Sequence, residues 1–403
     1  MINVAVLGYG TVGSGVVEVI EKNKDMVNKK SGQELEVKYI LDLKDFPGDP
    51  YENKVVHDFE QIVNDEEVNI ICETMGGVGV AYQFTKAALE RGKSVCTSNK
   101  ELVAKHGPEL LQIAREHNCN YLFEASVGGG IPIIRPLNYS LTAERIEGIT
   151  GILNGTTNYI LSKMEKEGAD FETVLKEAQE KGYAERNPEA DVEGHDACRK
   201  IAILSSLMMG MNVDSEKIFT EGITKVTAAD FVYAKAAGKT IKLLARSKAL
   251  GDDTVLAMVA PFMLDKDQPL SMVNDVFNAV LVTGNMLGDS MYYGRGAGKL
   301  PTASAVVSDV VDCARHQGKV IMCFWEQKDA EIADVSEVEN RYFVRGNAAS
   351  KEKILAAFEG SEVLTVPGRS EDFAIFTVPM KEKEFAAKCE ALGSAVESCI
   401  RLY

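Results

Sequence analysis

Short apolar runs alternate with helix-patterned stretches over the first third of the chain. Val4–Leu7, Val37–Leu41, Asn69–Cys72, Ser94–Thr97 and Tyr121–Glu124 read as strands. Between them Val12, Val16 and Ile20, the stretch Ala81–Glu90, and Leu102–Glu116 carry apolar residues at helical spacing. Strands alternating with helices predict βαβ units and a doubly wound parallel sheet, an α/β architecture. A polar, lysine-rich stretch from Glu21 to Gln33 is expected to lengthen the first connection. The alternation then stops: Glu124–Pro132 is glycine-rich, and a strand-like Ile146–Leu153 follows. Trp325–Asn340 is acidic and irregular. Beyond it Tyr342–Val344, Glu352–Phe358, Glu362–Thr365, Phe373–Val378, Lys381–Leu392 and Val396–Leu402 predict strand, helix, strand, strand, helix and strand, a ferredoxin-like order.

A length of 403 residues predicts two or three domains, and 45% hydrophobic with 26% charged residues is a globular composition. The formal charge of −16 argues against nucleic acid as a partner, because a phosphate-coated polymer needs clustered Lys and Arg. Eight cysteines are scattered without a C-x-x-C pair, so reduced thiols in a cytoplasmic protein fit better than zinc or disulfides. The chain opens directly on a strand-like run instead of a signal-peptide pattern, and no apolar run is long enough for a bilayer. An apolar, β-rich region, Thr254–Met263 with Ala279–Thr283, is expected to pair across subunits.

Candidate chemistry begins at Gly8-Tyr9-Gly10-Thr11-Val12-Gly13, a G-x-G-x-x-G between the first strand and first helix. Glycines there permit a tight turn, close approach to a pyrophosphate, and close packing of a helix whose N-terminus faces the phosphates. The second strand ends in Leu41-Asp42-Leu43-Lys44, where Asp42 suits the ribose 2′-hydroxyl of NAD and Lys44 the 2′-phosphate of NADP. The balance leans slightly to NAD. Glu73-Thr74-Met75-Gly76-Gly77 and Thr97-Ser98-Asn99-Lys100 follow later strands. Ligands sit at the carboxyl ends of parallel strands, so Thr74, Gly76, Ser98 and Asn99 should border the cofactor and Lys100 should reach the reacting carbon and its oxygen.

The glycine-rich loop, with Glu124 supplying charge, suits a hard cation held by oxygens. It suits equally a hinge between domains, the reading its residues favour by themselves. The most informative segment is Gly182–Lys200, which Pro188 and Gly194 divide into a loop and a helix. Asp196 and Lys200, four residues apart, share a helix face that Ile203 and Leu207 continue. A lysine at the mouth of a core and held by a carboxylate is a proton-transfer candidate, whereas an exposed pair would contribute only tenths of a kcal/mol. His195 is turned off this face.

Taken in order, the glycine turn, Ser98-Asn99-Lys100, Glu124–Pro132, Gly151–Asn158, Gly182–Lys200 and Tyr293–Thr302 resemble the homoserine dehydrogenases over roughly residues 1–320. The resemblance implies interconversion of L-homoserine and L-aspartate 4-semialdehyde with NAD or NADP, in the synthesis of threonine, methionine and isoleucine. It implies that Lys200 and Lys100 transfer the proton and orient the substrate, with Asp196 keeping the hydroxyl end in register. Glu185, Asp191, Gly155 and Thr156 would line the substrate pocket, and Gly296 in the late loop would return to the cofactor. A monovalent cation such as Na⁺ or K⁺ is implied among Glu124 and the carbonyls of Val127, Gly129 and Ile131.

The resemblance divides the chain into a Rossmann-type nucleotide domain (1–135 with 300–325), an α+β substrate and dimerisation domain (136–299), and an ACT-like regulatory domain (335–403). A homodimer or homotetramer is implied. In the last domain Gly346-Asn347-Ala348-Ala349-Ser350 replaces the usual Pro-Gly turn, so threonine feedback and a purely structural role are equally open. No aspartokinase-like segment precedes residue 1, so a single-function enzyme is expected.

Overall fold

The apolar runs at the start of the chain lie side by side as strands in the computed structural model, which describes residues 1–403. In chain order the elements are β1 (Ile2–Leu7), α1 (Thr11–Lys22), α2 (Lys24–Ser31), β2 (Leu35–Leu41), β3 (Val55–Val56), α3 (Phe59–Val63), β4 (Val68–Glu73), α4 (Gly79–Glu90), β5 (Ser94–Thr97), α5 (Lys100–Glu116) and β6 (Tyr121–Leu122). Their order in the sheet is β3-β2-β1-β4-β5-β6, all parallel. This is a Rossmann-like sheet, and the order reverses between β1 and β4, where such sheets open a crevice at their carboxyl ends. Val4, Val6, Val37, Ile40 and Ile70 are wholly buried, which is why these strands read as apolar runs.

Two expectations change here. The polar stretch Glu21–Gln33 is not simply a connection: Lys24–Ser31 forms α2, which Gly32 ends in the left-handed region at φ 75°. The strand expected at Tyr121–Glu124 ends at Leu122, and Glu124 begins a 3₁₀ turn.

The middle of the chain supplies β7 (Ile146–Ile152), α6 (Gly155–Glu167), α7 (Phe171–Glu180), α8 (Glu189–Val192), α9 (His195–Met209), β8 (Phe219–Thr220), α10 (Ala228–Ala236), β9 (Lys239–Ala249), β10 (Thr254–Asp265) and β11 (Phe277–Gly284). There follow β12 (Gly288–Arg295), α11 (Lys299–Arg315), β13 (Glu331–Ile332), β14 (Glu339–Asn340), β15 (Tyr342–Asn347), α12 (Lys351–Ala357), β16 (Glu362–Leu364), β17 (Asp372–Phe376), β18 (Met380–Lys381), α13 (Glu382–Leu392) and β19 (Val396–Leu402).

The chain divides into two compact units. The first comprises Met1–Ile146, Ala202–Ser215 and Gly284–Ala330, and the second Glu147–Ile201, Glu216–Thr283 and Glu331–Tyr403. In the first unit α11 lies along α1: a Cβ at Gly15 would meet the side chains of Ala303 and Lys299. Trp325 also belongs to this unit and is fully buried, its ring filling the space that a side chain at Gly107 of α5 would take. An apparently irregular segment therefore begins with a core residue.

The second unit is built on a mixed sheet in which β11, β7, β9, β10, β19, β15, β17 and β16 are successive neighbours. Within it the C-terminal strands run β19-β15-β17-β16, antiparallel, the order of a ferredoxin-like βαββαβ module. Tyr342 stacks on Phe385 at 3.6 Å between centroids, inside the core of this module. The module is sutured to its neighbours by β19, which pairs in parallel with β10, and by the buried Arg345, which binds Asp230 of α10 at 2.8 Å together with Asp372 and Glu397.

The expectation that Thr254–Met263 pairs across subunits meets filled edges. Strand β9 runs along one side of β10, and β13, β8 and β19 occupy successive parts of the other. No helix is long and apolar enough to cross a membrane.

Candidate active site

The glycine turn after β1 has the geometry its sequence requires. Gly8 adopts φ +88°, in the left-handed region that favours glycine, and a Cβ at Gly13 would run into the Gly8 carbonyl oxygen. At Gly10, the residue preceding α1, a Cβ would meet nothing within 4 Å. Gly13 thus lets the helix close on the turn, while Gly10 leaves its outer side clear for a ligand backbone. Thr11 and Val12 open α1, whose N-terminal N–H groups suit an anion. The Thr74 hydroxyl lies 2.9 Å from both the Leu7 and Gly8 carbonyl oxygens and pins the turn to β4. These features fit a dinucleotide.

Asp42 stands at the end of β2 with each carboxylate oxygen holding one backbone amide, Tyr9 N at 2.8 Å and Lys44 N at 3.0 Å. Lys44 is exposed. His57 contacts the Asp42 carbonyl oxygen at 2.7 Å and Asp45 at 3.0 Å, and these two acceptors raise its pKa.

Glu73, at the end of β4, is fully buried beneath the same loops. It accepts the Thr97 hydroxyl at 2.5 Å and the Met75 N–H at 2.8 Å, yet burial pushes its carboxyl up to about 7. Thr97 also accepts the Asn99 N–H at 2.9 Å, and Asn99 caps α5 by accepting from Leu102 N at 3.1 Å while donating to Gly77 O at 2.6 Å. Lys100 is the first residue of that capped helix. Ser98 N reaches the Glu73 carbonyl oxygen at 3.4 Å, and Gly76 has open space around it.

In the glycine-rich loop the Glu124 carboxylate is committed to three backbone amides, Ile133 N at 2.6 Å, Ile134 N at 2.9 Å and Arg135 N at 2.7 Å. Its side chain therefore anchors the following turn. The glycines serve packing: a Cβ at Gly129 would strike Gly296, and one at Gly130 would strike Pro301. The late loop predicted to return to the cofactor thus lies against Gly129. No cluster of His, Cys, Asp or Glu suited to a metal is present. A cation here would rely on main-chain carbonyls, which is the donor chemistry proposed for Val127, Gly129 and Ile131.

The second unit gathers the informative segment. On α9 Lys200 Nζ donates to Asp196 Oδ2 at 2.7 Å and to the Leu153 carbonyl oxygen at 2.8 Å. Both side chains are mostly buried, 12% and 7% exposed, so the pair is not the solvated surface kind. Ile203 is buried, Leu207 half-buried and His195 exposed. Asn154 joins the cluster by donating to Asp191 Oδ1 at 2.7 Å and Asp196 Oδ2 at 2.8 Å. Gly155 and Thr156 open α6, and the Thr156 hydroxyl donates to the Tyr183 carbonyl oxygen at 2.6 Å. Glu185 is exposed on the neighbouring loop, where its carbonyl oxygen accepts from Gln179 Nε2 at 3.0 Å.

The structure therefore brings Asp191, Asp196 and Lys200 together and leaves Glu185 outside that hydrogen-bonded group. Sequence reasoning gave no role to Glu73 or Asn154. An Asn directly before a helix pattern is a capping signal, but neither the partners of its amide nor the burial of Glu73 is written in local sequence.

A dinucleotide turn on a parallel sheet and a carboxylate-held lysine, carried on one chain, define an NAD(P)-dependent oxidoreductase. Family models described as "Homoserine dehydrogenase, NAD binding domain" and "Homoserine dehydrogenase" match residues 8–124 and 132–311. The chain belongs to the homoserine dehydrogenase family. A homoserine dehydrogenase of Synechocystis is 47% identical over 318 residues, 77% of this chain and 73% of that protein. A crystal structure of the enzyme from Thiobacillus denitrificans superposes with a TM-score of 0.90 at 36% identity, covering 100% of this chain and 98% of that one. A hyperthermophilic archaeal homoserine dehydrogenase solved in complex with NADPH has a TM-score of 0.64 at 29% identity, covering 77% of this chain and 97% of that one.

Proposed function

We propose that the chain oxidises L-homoserine to L-aspartate 4-semialdehyde and reduces the semialdehyde in reverse, as a step towards threonine, methionine and isoleucine. The observation that carries this reading is Lys200 Nζ, fixed 2.7 Å from Asp196 and 2.8 Å from the Leu153 carbonyl oxygen. When bound, the nicotinamide supplies the two-electron partner for the hydride at the alcohol carbon. In oxidation neutral Lys200 Nζ takes the hydroxyl proton; in reduction its ammonium returns a proton as charge builds on the aldehyde oxygen. Asp196 holds that ammonium in place, and Lys100 orients the substrate. Asp191 and Glu185 offer carboxylates to the substrate ammonium, with Gly155 and Thr156 at the start of α6 completing the pocket.

The nucleotide is held by Gly8, Gly10, Thr11, Val12 and Gly13, with Thr74, Gly76, Ser98, Asn99, Lys100 and Gly296 bordering it. NAD is the favoured form, because the Asp42 carboxylate suits a ribose hydroxyl and repels a 2′-phosphate. Lys44 and the NADPH complex of the archaeal relative support the alternative. A monovalent cation among Glu124 and the carbonyls of Val127, Gly129 and Ile131 would stiffen the glycine-rich loop.

The proposed divisions are 1–135 with 300–325 for nucleotide, 136–299 for substrate, and 335–403 as an ACT-like module, in a cytoplasmic homodimer or homotetramer. Support for a second copy comes from the sheet face of Thr150, Arg246, Leu256 and Thr283, which lines an open cavity of about 220 Å³.

Initial rates at the reduced-nicotinamide band, with L-homoserine and each nucleotide, test the reading. Turnover is expected with both, faster with NAD; no rate in either direction from folded protein that binds nucleotide would refute it.

A further inference from the structure

We propose that Asn154 is a positioning residue that sets Asp191 and the Asp196–Lys200 pair in register through one amide. The inference rests on the reading above, in which Asp191 meets the substrate ammonium and Lys200 carries the proton.

Every hydrogen-bonding position of this buried side chain is used. Its oxygen caps α6 by accepting the Thr157 N–H at 2.8 Å and lies 3.1 Å from the Thr157 hydroxyl. A backbone N–H only donates, so the oxygen must face the helix and the NH₂ must face away from it. That NH₂ spends one hydrogen on Asp191 Oδ1 at 2.7 Å and the other on Asp196 Oδ2 at 2.8 Å. Asp196 Oδ2 is also the oxygen that accepts from Lys200 Nζ at 2.7 Å.

Two acids drawn to a single neutral amide repel each other, and a group that donates to both offsets that repulsion and sets their spacing. Capping alone does not require Asn, because Ser, Thr or Asp would cap α6 about as well. Among these only Asn caps through oxygen and donates twice through nitrogen. The amide thereby fixes the rotamer of Asp196, and with it the direction of Lys200, relative to the acid that receives the substrate ammonium.

The test uses Asn154→Asp and Asn154→Ser in the full chain, assayed beside wild type. Both variants retain a capping oxygen, so nucleotide binding by fluorescence titration should stay close to wild type; thermal unfolding should stay close to wild type in Asn154→Ser and fall in Asn154→Asp, which sets a third carboxylate beside Asp191 and Asp196. Loss of hydrogen bonds to charged groups should lower kcat/KM for L-homoserine by about 100-fold in both. In Asn154→Asp the added carboxylate favours the Lys200 ammonium, so the pH of half-maximal oxidation should move up by about one unit; Asn154→Ser should move it less. Folded variants with wild-type kcat, KM and pH profile would leave Asn154 a cap only and overturn the proposal. Should the Asp variant fail to fold, the kcat/KM of the Ser variant decides. Absence of turnover in wild type would instead count against the assigned reaction.

Discussion

Glu73 and Thr97 meet at the carboxyl ends of neighbouring parallel strands, the hydroxyl donating to a fully buried carboxyl at 2.5 Å. Burial outweighs the donors around it and raises the carboxyl from 4.5 to about 7. Between these values the folded chain keeps a proton that the unfolded chain has released, so stability from this group is present at low pH and declines as pH rises towards 7. The decline is about 3 kcal/mol, from ~1.4 kcal/mol per pKa unit. Urea unfolding of wild type and Glu73→Gln at pH 5 and pH 8 checks it: the stability difference between the two should shift by about that amount in favour of the variant at pH 8. Parallel behaviour at the two pH values would place the carboxyl's titration elsewhere.

Gly10 and Gly13 have separable jobs. Gly13→Ala forces a methyl into the Gly8 carbonyl oxygen, and overpacking of this kind destabilises by about 1–3 kcal/mol. Gly10→Ala meets nothing in the protein, so its unfolding midpoint should match wild type while nucleotide affinity falls by at least about tenfold, because the methyl occupies the side on which a pyrophosphate approaches. Denaturant unfolding together with fluorescence titration of the reduced nucleotide distinguishes the two. Equal affinity in Gly10→Ala and wild type would mean that the nucleotide does not use this turn.

The C-terminal module is joined to α10 by a buried cation. Arg345, 6% exposed, faces Asp230 at 0% and Asp372 at 6%. Replacing it with Met leaves Asp230 uncompensated, a change that costs about 3–5 kcal/mol in comparable buried pairs. Arg345→Met should therefore unfold at clearly lower urea concentration. Unfolding coincident with wild type would show that Asp230 finds another partner.

How far the sequence discloses this molecule depends on the range of the contacts involved. Strands β1, β4 and β5 are legible because both their faces are buried, β2 because Leu35, Val37, Ile40 and Leu41 are buried along it, and the Asp196–Lys200 pair because helical spacing places residues four apart together. Ser94–Thr97 and Val396–Leu402 have the limits their patterns predict. The role of Glu124 is not legible, since its partners are amides of Ile133, Ile134 and Arg135 beyond a glycine-rich loop. Trp325 looks like the start of an irregular linker because its packing partner, Gly107, lies far away in the chain. The neighbours of β10 are not legible for a related reason: an apolar strand reveals its burial, whereas β8, β13 and β19 come to its edge from distant segments.

The central claim is that Lys200 moves the proton. The most direct measurement is the steady-state rate of L-homoserine oxidation by Lys200→Ala, with nucleotide affinity measured on the same preparation. The variant should bind nucleotide as wild type does and lose at least about two orders of magnitude in kcat, the usual worth of a positioned proton-transfer group. A kcat within a few-fold of wild type, from folded and nucleotide-binding protein, would contradict the assignment and send the search for the base to another residue.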